Sequence, residues 1–380
     1  MNESLHPALL PQGFRDLLEP DAAHEAEVVA RLVAVLEGHG YERVKPPLAE
    51  YEDNLLSGAG AAMAKETFRL MDPISQRMIG LRADMTPQVA RIAATRLKHM
   101  PRPLRLCYAG QVLRVRGTEI RPERQVGQVG AELIGSDEIA ADVEVVAIAA
   151  EGLFGLGISR LSVDLTLPRL VPAVCRALGL DGAAADAARA ALDHKDTAMT
   201  AAVGGAASAL LGRLLEAAGA VERALPALAA LDLPAEAAAE RARLAIVVER
   251  LRQAVPDLAI TVDPVENRGF EYHSGISFTF FARGVRGELG RGGRYRTGEA
   301  GEPATGFTLY TDTVLPAAPA AEPMRRLFVP AGSDLSAARK ARAEGWATVD
   351  GLGAVADAAA EARRLRCNHR LEGGKIVPVA

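Results

Sequence analysis

The feature that most constrains this chain is an alanine-dense block, residues 167–256, set between two stretches of strand chemistry. Alanine has the highest intrinsic helix propensity, and the block carries Leu and Val at helical spacing between Pro168, Pro172, Pro226, Pro234 and Pro256. It therefore reads as packed helices inserted into a sheet-forming chain. Upstream, Asp21 to Glu37 places Val28, Val29, Leu32, Val33, Val35 and Leu36 on one helical face, with Asp21 as the expected N-cap. Tyr41 to Pro47, Arg77 to Arg82, Leu104 to Val115 and Gln128 to Ile134 read as strands, and Asp137 to Phe154 as a helix. Downstream, Ala259 to Val262 and Ser277 to Ala282 return to strand chemistry.

The expected organisation is a core built from residues 1–166 and 257–315, a helical insertion at 167–256, an Ala/Pro linker at 316–323 and a small α/β segment at 324–380. In that last segment Arg325 to Pro330 reads as a strand, and Leu335 to Glu344 and Ala354 to Arg364 as helices. So short a stretch is expected to pack on the rest of the chain rather than build a robust core of its own.

Several function classes are excluded early. A net charge of -4 does not make a polyanion binder of the whole molecule. Cys107, Cys175 and Cys367 stand far apart with no C-x-x-C pair, and the histidines form no H-x-x-x-H pattern. A disulfide framework and a zinc site are not expected, and a reducing compartment is. Met1 to His6 lacks the pattern of a signal peptide, and no run reaches the ~18 apolar residues of a membrane span. The expectation is a cytoplasmic protein without a membrane partner. There is no G-x-S-x-G elbow and no dinucleotide fingerprint, and the glycines around Gly292 lack the lysine and hydroxyl of a P-loop. No metal and no cofactor are expected.

A site for a free amino acid must accept from an ammonium, donate to a carboxylate and read a side chain. Three segments offer such groups: Arg82 to Gln88, Arg124 to Glu132, and Asn267 to Gly275. In the second, Gln128, Gly130 and Glu132 share one face of a strand, and Gly130 leaves room for a ligand against the sheet. The alternative is the solvated face of an edge strand, and spacing alone does not separate the two. Residues 91–124 hold nine Lys or Arg against two Glu, which fits either an anion site or a solvated basic face. Tyr108 is the lone aromatic there.

Taken together and in order, these segments resemble the histidyl-tRNA synthetase family. Gly13-Phe14-Arg15-Asp16 is similar to its N-terminal signature, and Tyr41 to Pro47 to the class II motif that builds its dimer interface. Leu106 to Glu132 is similar to its second motif, Arg268 to Tyr272 to its histidine-specific signature, and Gly292 to Tyr295 through Gly306-Phe307 to its third motif. The resemblance implies an α+β fold: a class II synthetase-like antiparallel sheet flanked by helices. It also implies a histidine pocket in which Asp84, Thr86 and Gln128 meet the ammonium, Arg268 the carboxylate, and Glu132 and Tyr272 the imidazole. Asp84 is shorter than the glutamate usual in the family, and His273 stands where a second tyrosine is common.

The ATP half departs further. Arg114 matches the arginine that holds the α-phosphate, and with Arg124 it forms the expected anion remnant. Arg116 replaces a glutamate, Val126 the aromatic that stacks on adenine, and Thr313 the arginine that clamps the far phosphates. Only Arg325 to Ala380 stands where the family has its C-terminal anticodon-binding domain, so tRNA is not expected as a partner. This combination resembles the paralogous family of ATP phosphoribosyltransferase regulatory subunits. It implies a non-catalytic, self-dimerising subunit that supports a short-form catalytic subunit in the first step of histidine biosynthesis, with free histidine as effector. An active histidyl-tRNA synthetase and a stand-alone histidine- or RNA-binding paralogue are the competing readings.

Overall fold

The computed structural model describes residues 9–56, 60, 63–119, 121–266, 272–298, 300–320 and 323–379. Met1 to His6 and Asn267 to Glu271, Arg268 among them, lie outside the described residues. Two compact units emerge, Met1–Pro319 and Ala320–Ala380.

The first unit is built on a nine-stranded sheet. Its order is Glu42–Arg43, Leu104–Leu113, Gln125–Ile134, Glu302–Tyr310, Gly290–Thr297, His273–Ala282, Leu161–Thr166, Ala259–Asp263 and Gly219–Ala220. From Leu104–Leu113 to Leu161–Thr166 every neighbour is antiparallel. The strands on either side of the helical block thus form one continuous sheet: Gln125–Ile134 pairs directly with Glu302–Tyr310.

Side chains alternate across this sheet with period two. In Glu302–Tyr310, Phe307 and Leu309 enter the main core, whereas Ala304 and Tyr310 enter a second cluster on the opposite face. The main core packs the sheet against Asp21–Gly38 and Ile139–Gly155 through Val28, Leu32, Val145 and Leu153. Full burial of each such side chain contributes on the order of 1.5–3 kcal/mol. The alanine-dense block forms helices from Leu170–Ala177 to Ala235–Ala254, interrupted by the two-residue strand Gly219–Ala220. A separate three-stranded sheet, Ala49–Tyr51, Met78–Leu81 and Phe68–Met71, delivers the chain to Arg82 and Asp84.

Some local expectations change. Asp21 does not cap its helix. Pro20 holds the N-cap position with no side-chain cap, and Asp21 sits in the first turn, where its charge meets the positive end of the helix. The glycine-rich segment around Gly292 is an inner strand, Gly290–Thr297. A Cβ on Gly292 would lie 2.1 Å from the Gly306 carbonyl oxygen, so glycine is what lets these strands approach. Pro316 and Ala317, expected in the linker, close the helix Thr311–Ala317.

The second unit has a four-stranded sheet in the order Ala347–Asp350, Arg326–Val329, His369–Glu372, Lys375–Pro378, with helices Leu335–Ala343 and Ala358–Arg364. It has more core than its length led us to expect: Leu327, Val329, Ala338, Ala341 and Leu371 form one cluster, and Phe328, Ala362 and Cys367 another. No helix among the described residues is long and apolar enough to cross a membrane.

Candidate functional site

Gln125–Ile134 is an interior strand, and Gln128 and Glu132 are each 1% exposed, which removes the solvated-edge alternative. Both side chains reach the segment that opens the helix Thr86–Thr95. The Gln128 amide donates to Asp84 Oδ2 at 3.2 Å, and Gln128 Oε1 accepts from the Met85 backbone N–H at 3.0 Å. Asp84 Oδ1 accepts from the Thr86 backbone N–H at 2.8 Å, and the Thr86 hydroxyl donates to Glu132 Oε1 at 2.9 Å. Four of the six expected pocket residues, Asp84, Thr86, Gln128 and Glu132, are therefore tied into one network.

Glu132 is the centre of that network. Tyr295 donates to its Oε2 at 2.8 Å, and the Tyr108 hydroxyl lies 3.3 Å from Oε1. Gly306 makes this placement feasible, since a Cβ there would fall 1.9 Å from Glu132 Oε2. Burial pushes the Glu132 carboxyl up to about 8, against the hydroxyls of Tyr295 and Thr86, which favour the ionised form. With no cation beside it, the buried group keeps its proton near neutrality. A bound ammonium or imidazolium would draw it into the ionised state.

The space above Gly130 is not open to a ligand. The Tyr108 hydroxyl fills it, 2.4 Å from where a Cβ would stand, and continues to Thr308 Oγ1 at 2.8 Å. Tyr272 is 43% exposed; its ring meets that of Tyr295 edge-on with centroids 6.1 Å apart. It lies within electrostatic reach of Asp84, Arg291 and Glu132. Sequence reasoning passed over Tyr108 as a site residue. Its register opposite Gly130 is the signal that could have found it, but only once the two strands were paired.

The nucleotide half is arranged differently. Arg121 lies over the Tyr310 ring at 4.2 Å from its centroid and donates to Asp312 at 3.1 and 3.2 Å, to Glu288 at 3.3 Å and to Thr313 Oγ1 at 3.3 Å. A side chain of the protein itself thus occupies the neighbourhood of Thr313. Val126 is buried in the cluster that also holds Tyr310, and it offers no stacking surface. Arg114 approaches the same ring at 5.9 Å. Arg124 does not join it: its guanidinium faces Phe14 at 4.8 Å and Phe68 at 5.1 Å and donates to the carbonyls of Gln12 and Arg114. The structure does not bring the two members of the expected anion remnant onto one subsite.

Much of the basic run is committed elsewhere. Arg91 pairs with Glu50, Arg102 with Glu302 and Arg105 with Glu144. Arg82, the cation of the first candidate segment, is buried on the carbonyls of Gln111 and Pro46. Among the described residues no group of three or more His, Cys, Asp or Glu side chains is placed to hold a metal.

Known proteins match this arrangement. Residues 13–314 match the family model for histidyl-tRNA synthetase. The chain is 60% identical over 379 residues to the ATP phosphoribosyltransferase regulatory subunit of Paramagnetospirillum magneticum, covering 100% of each chain. The crystal structure of an ATP phosphoribosyltransferase regulatory subunit/histidyl-tRNA synthetase from Bacillus halodurans superposes with a TM-score of 0.81 at 24% identity, covering 93% of this chain and 96% of that one. A chain of the ATP phosphoribosyl transferase (HisG:HisZ) complex from Thermotoga maritima superposes with a TM-score of 0.60 at 17% identity, covering 75% and 97%.

Proposed function

The chain belongs to the family of ATP phosphoribosyltransferase regulatory subunits, a branch of the histidyl-tRNA synthetase-like proteins, and we propose that it controls its catalytic partner through histidine held in the synthetase-like pocket. The chain is a regulatory subunit in histidine biosynthesis, and catalysis of phosphoribosyl transfer resides on the partner. One observation carries the histidine reading. The amino-acid half of the site is a closed hydrogen-bonded network around Glu132, while Arg121 is lodged in the nucleotide half. A site with the first half and not the second can bind an amino acid without activating it.

In this reading Asp84, Thr86 and Gln128 meet the ammonium, and Glu132 and Tyr272 the imidazole. The resemblance to the synthetases assigns Arg268 to the carboxylate, and Arg114 is the remnant of a phosphate contact. The chain acts in the cytoplasm and forms a dimer with a second copy of itself. Supporting the dimer, Tyr41 to Pro47 runs along an end of the main sheet, where Glu42–Arg43 is the edge strand.

Control of the partner requires that histidine bind its active and inactive arrangements with different affinity. Linkage then demands that the partner's substrates alter histidine affinity by the same factor. The test is to assay the catalytic subunit alone, with this chain, and with this chain plus histidine. The expected order is low activity, a rise, and inhibition. Equal activity and equal histidine inhibition with and without this chain would overturn the regulatory mechanism.

A further inference from the structure

The pocket described so far has a carboxylate to meet an ammonium, but its described members include no cation to meet a carboxylate. The strand Gly290–Thr297 supplies one. Arg291 is two residues from Gly293 and four from Tyr295, so it shares the face from which Tyr295 reaches Glu132. Its cross-strand neighbours are Thr308, which hydrogen-bonds Tyr108, and Thr279. Its guanidinium lies within electrostatic reach of Tyr310, Glu288, Tyr272 and Asp84. Yet, among the described residues, Arg291 makes no hydrogen bond and no ion pair within 4.0 Å. A half-buried guanidinium without a protein partner keeps its five donors available to a ligand. The neighbouring arginine of the same segment shows the contrast: Arg294 is 3% exposed and fully engaged with Asp142, Asp137 and two carbonyls on the opposite face.

We propose that Arg291 is the residue that binds the α-carboxylate of the amino acid held in this pocket, a role that rests on the histidine reading above. The charges select the ligand class. Asp84 is within electrostatic reach of Arg291, so a zwitterion between them meets one acceptor and one donor group. A phosphate dianion would meet Glu288 and Asp84 as well as the arginine, and like-charge contact in a partly desolvated site is unfavourable. A carboxylate carries half that charge and matches the planar fork of a guanidinium.

The experiment compares histidine with histamine, which keeps the imidazole and the ammonium and lacks the carboxylate. Calorimetry on the full chain, alone and with the catalytic subunit, uses the wild type, Arg291→Ala, Arg291→Gln, Arg268→Ala and Glu132→Ala. The wild type is expected to prefer histidine by roughly 10- to 100-fold, the range of a charge-assisted pair. Arg291→Ala and Arg291→Gln should bring histidine down to the affinity of histamine and leave histamine unchanged. If both Arg291 variants keep the wild-type preference, or Arg268→Ala alone abolishes it, the proposal is wrong while the pocket reading stands. If the wild type binds neither probe, or Glu132→Ala binds both as the wild type does, the pocket reading fails and the proposal with it. A thermal transition like the wild type's separates lost contact from lost fold.

Discussion

The Arg121 guanidinium lies 4.2 Å from the centre of the Tyr310 ring and donates to Asp312 at 3.1 Å, bridging the loop after the strand Leu104–Leu113 to the helix Thr311–Ala317. An adenine or phosphate entering beside Thr313 would have to displace a cation that already has two carboxylates, a hydroxyl and an aromatic face. The Arg121 cluster thus occupies the space beside Thr313.

The protein alone should therefore show no histidine-dependent ATP–pyrophosphate exchange. Arg121→Ala should not restore it, because Val126 still offers no stacking platform and Thr313 no phosphate clamp. Turnover above background in the wild type after rigorous purification would count against the non-catalytic assignment.

Glu132 should leave a pH signature on stability. Its folded carboxyl lies at about 8, above the usual 4.5, so the folded state binds the proton more tightly than the unfolded one. The sign follows: this contribution is complete below pH 4.5 and is lost as pH rises through about 8. Denaturant titrations of wild type and Glu132→Gln should diverge over that window, with the wild type losing up to about 5 kcal/mol relative to the variant. Parallel curves would show that Glu132 is already ionised in the folded protein.

Histidine should bind near neutral pH with little net proton exchange, because the proton that Glu132 holds in the empty pocket passes to the neutral imidazole as the ion pair forms. Calorimetry in buffers of different ionisation enthalpy checks it. Glu132→Ala should weaken binding by roughly 1.5–3 kcal/mol, the range of a charge-assisted hydrogen bond. Uptake of a full proton by the wild type would show that Glu132 is already ionised in the empty pocket.

Arg294→Ala should destabilise the fold rather than alter ligand choice. Arg294 and Asp142 are paired at 2.8 Å, and both side chains are 4% exposed. Removing one partner of a buried pair costs about 3–5 kcal/mol, with Arg243, 2.7 Å from Asp142, holding the loss toward the lower end. Equilibrium unfolding measures this directly; a change under about 1 kcal/mol, the range of exposed pairs, would mean that the pair is solvated.

Sedimentation at micromolar concentration should show a dimer, from the placement of Tyr41 to Pro47 at the end of the main sheet and the preference of soluble oligomers for twofold symmetry. A clean monomer would argue against the sheet-edge interface.

What the sequence determined by itself is what depends on local period and on the order of segments. Alanine density announced the helices of 167–256, and alternation put Gln128 and Glu132 on one face. The resemblance to the synthetases grouped Asp84 and Thr86 with them and marked Val126 and Thr313 as departures in the nucleotide half. What only the tertiary structure decided is which of several similar groups faces which partner. Arg291 and Arg294 are three residues apart, and that odd spacing sends them to opposite faces, one to the pocket and one to the core. Nothing local says which face is which, because the answer depends on strands drawn from distant parts of the chain. The bond from Tyr295 to Glu132 spans 163 residues, and the one from Arg121 to Asp312 spans 191. The same holds for Gly130, whose missing side chain reads as room for a ligand until Leu104–Leu113 pairs beside it and Tyr108 takes the space. A hydrogen bond is settled by a few tenths of an ångström between groups that sequence separation leaves unrelated, so such contacts exist only once the sheet has closed.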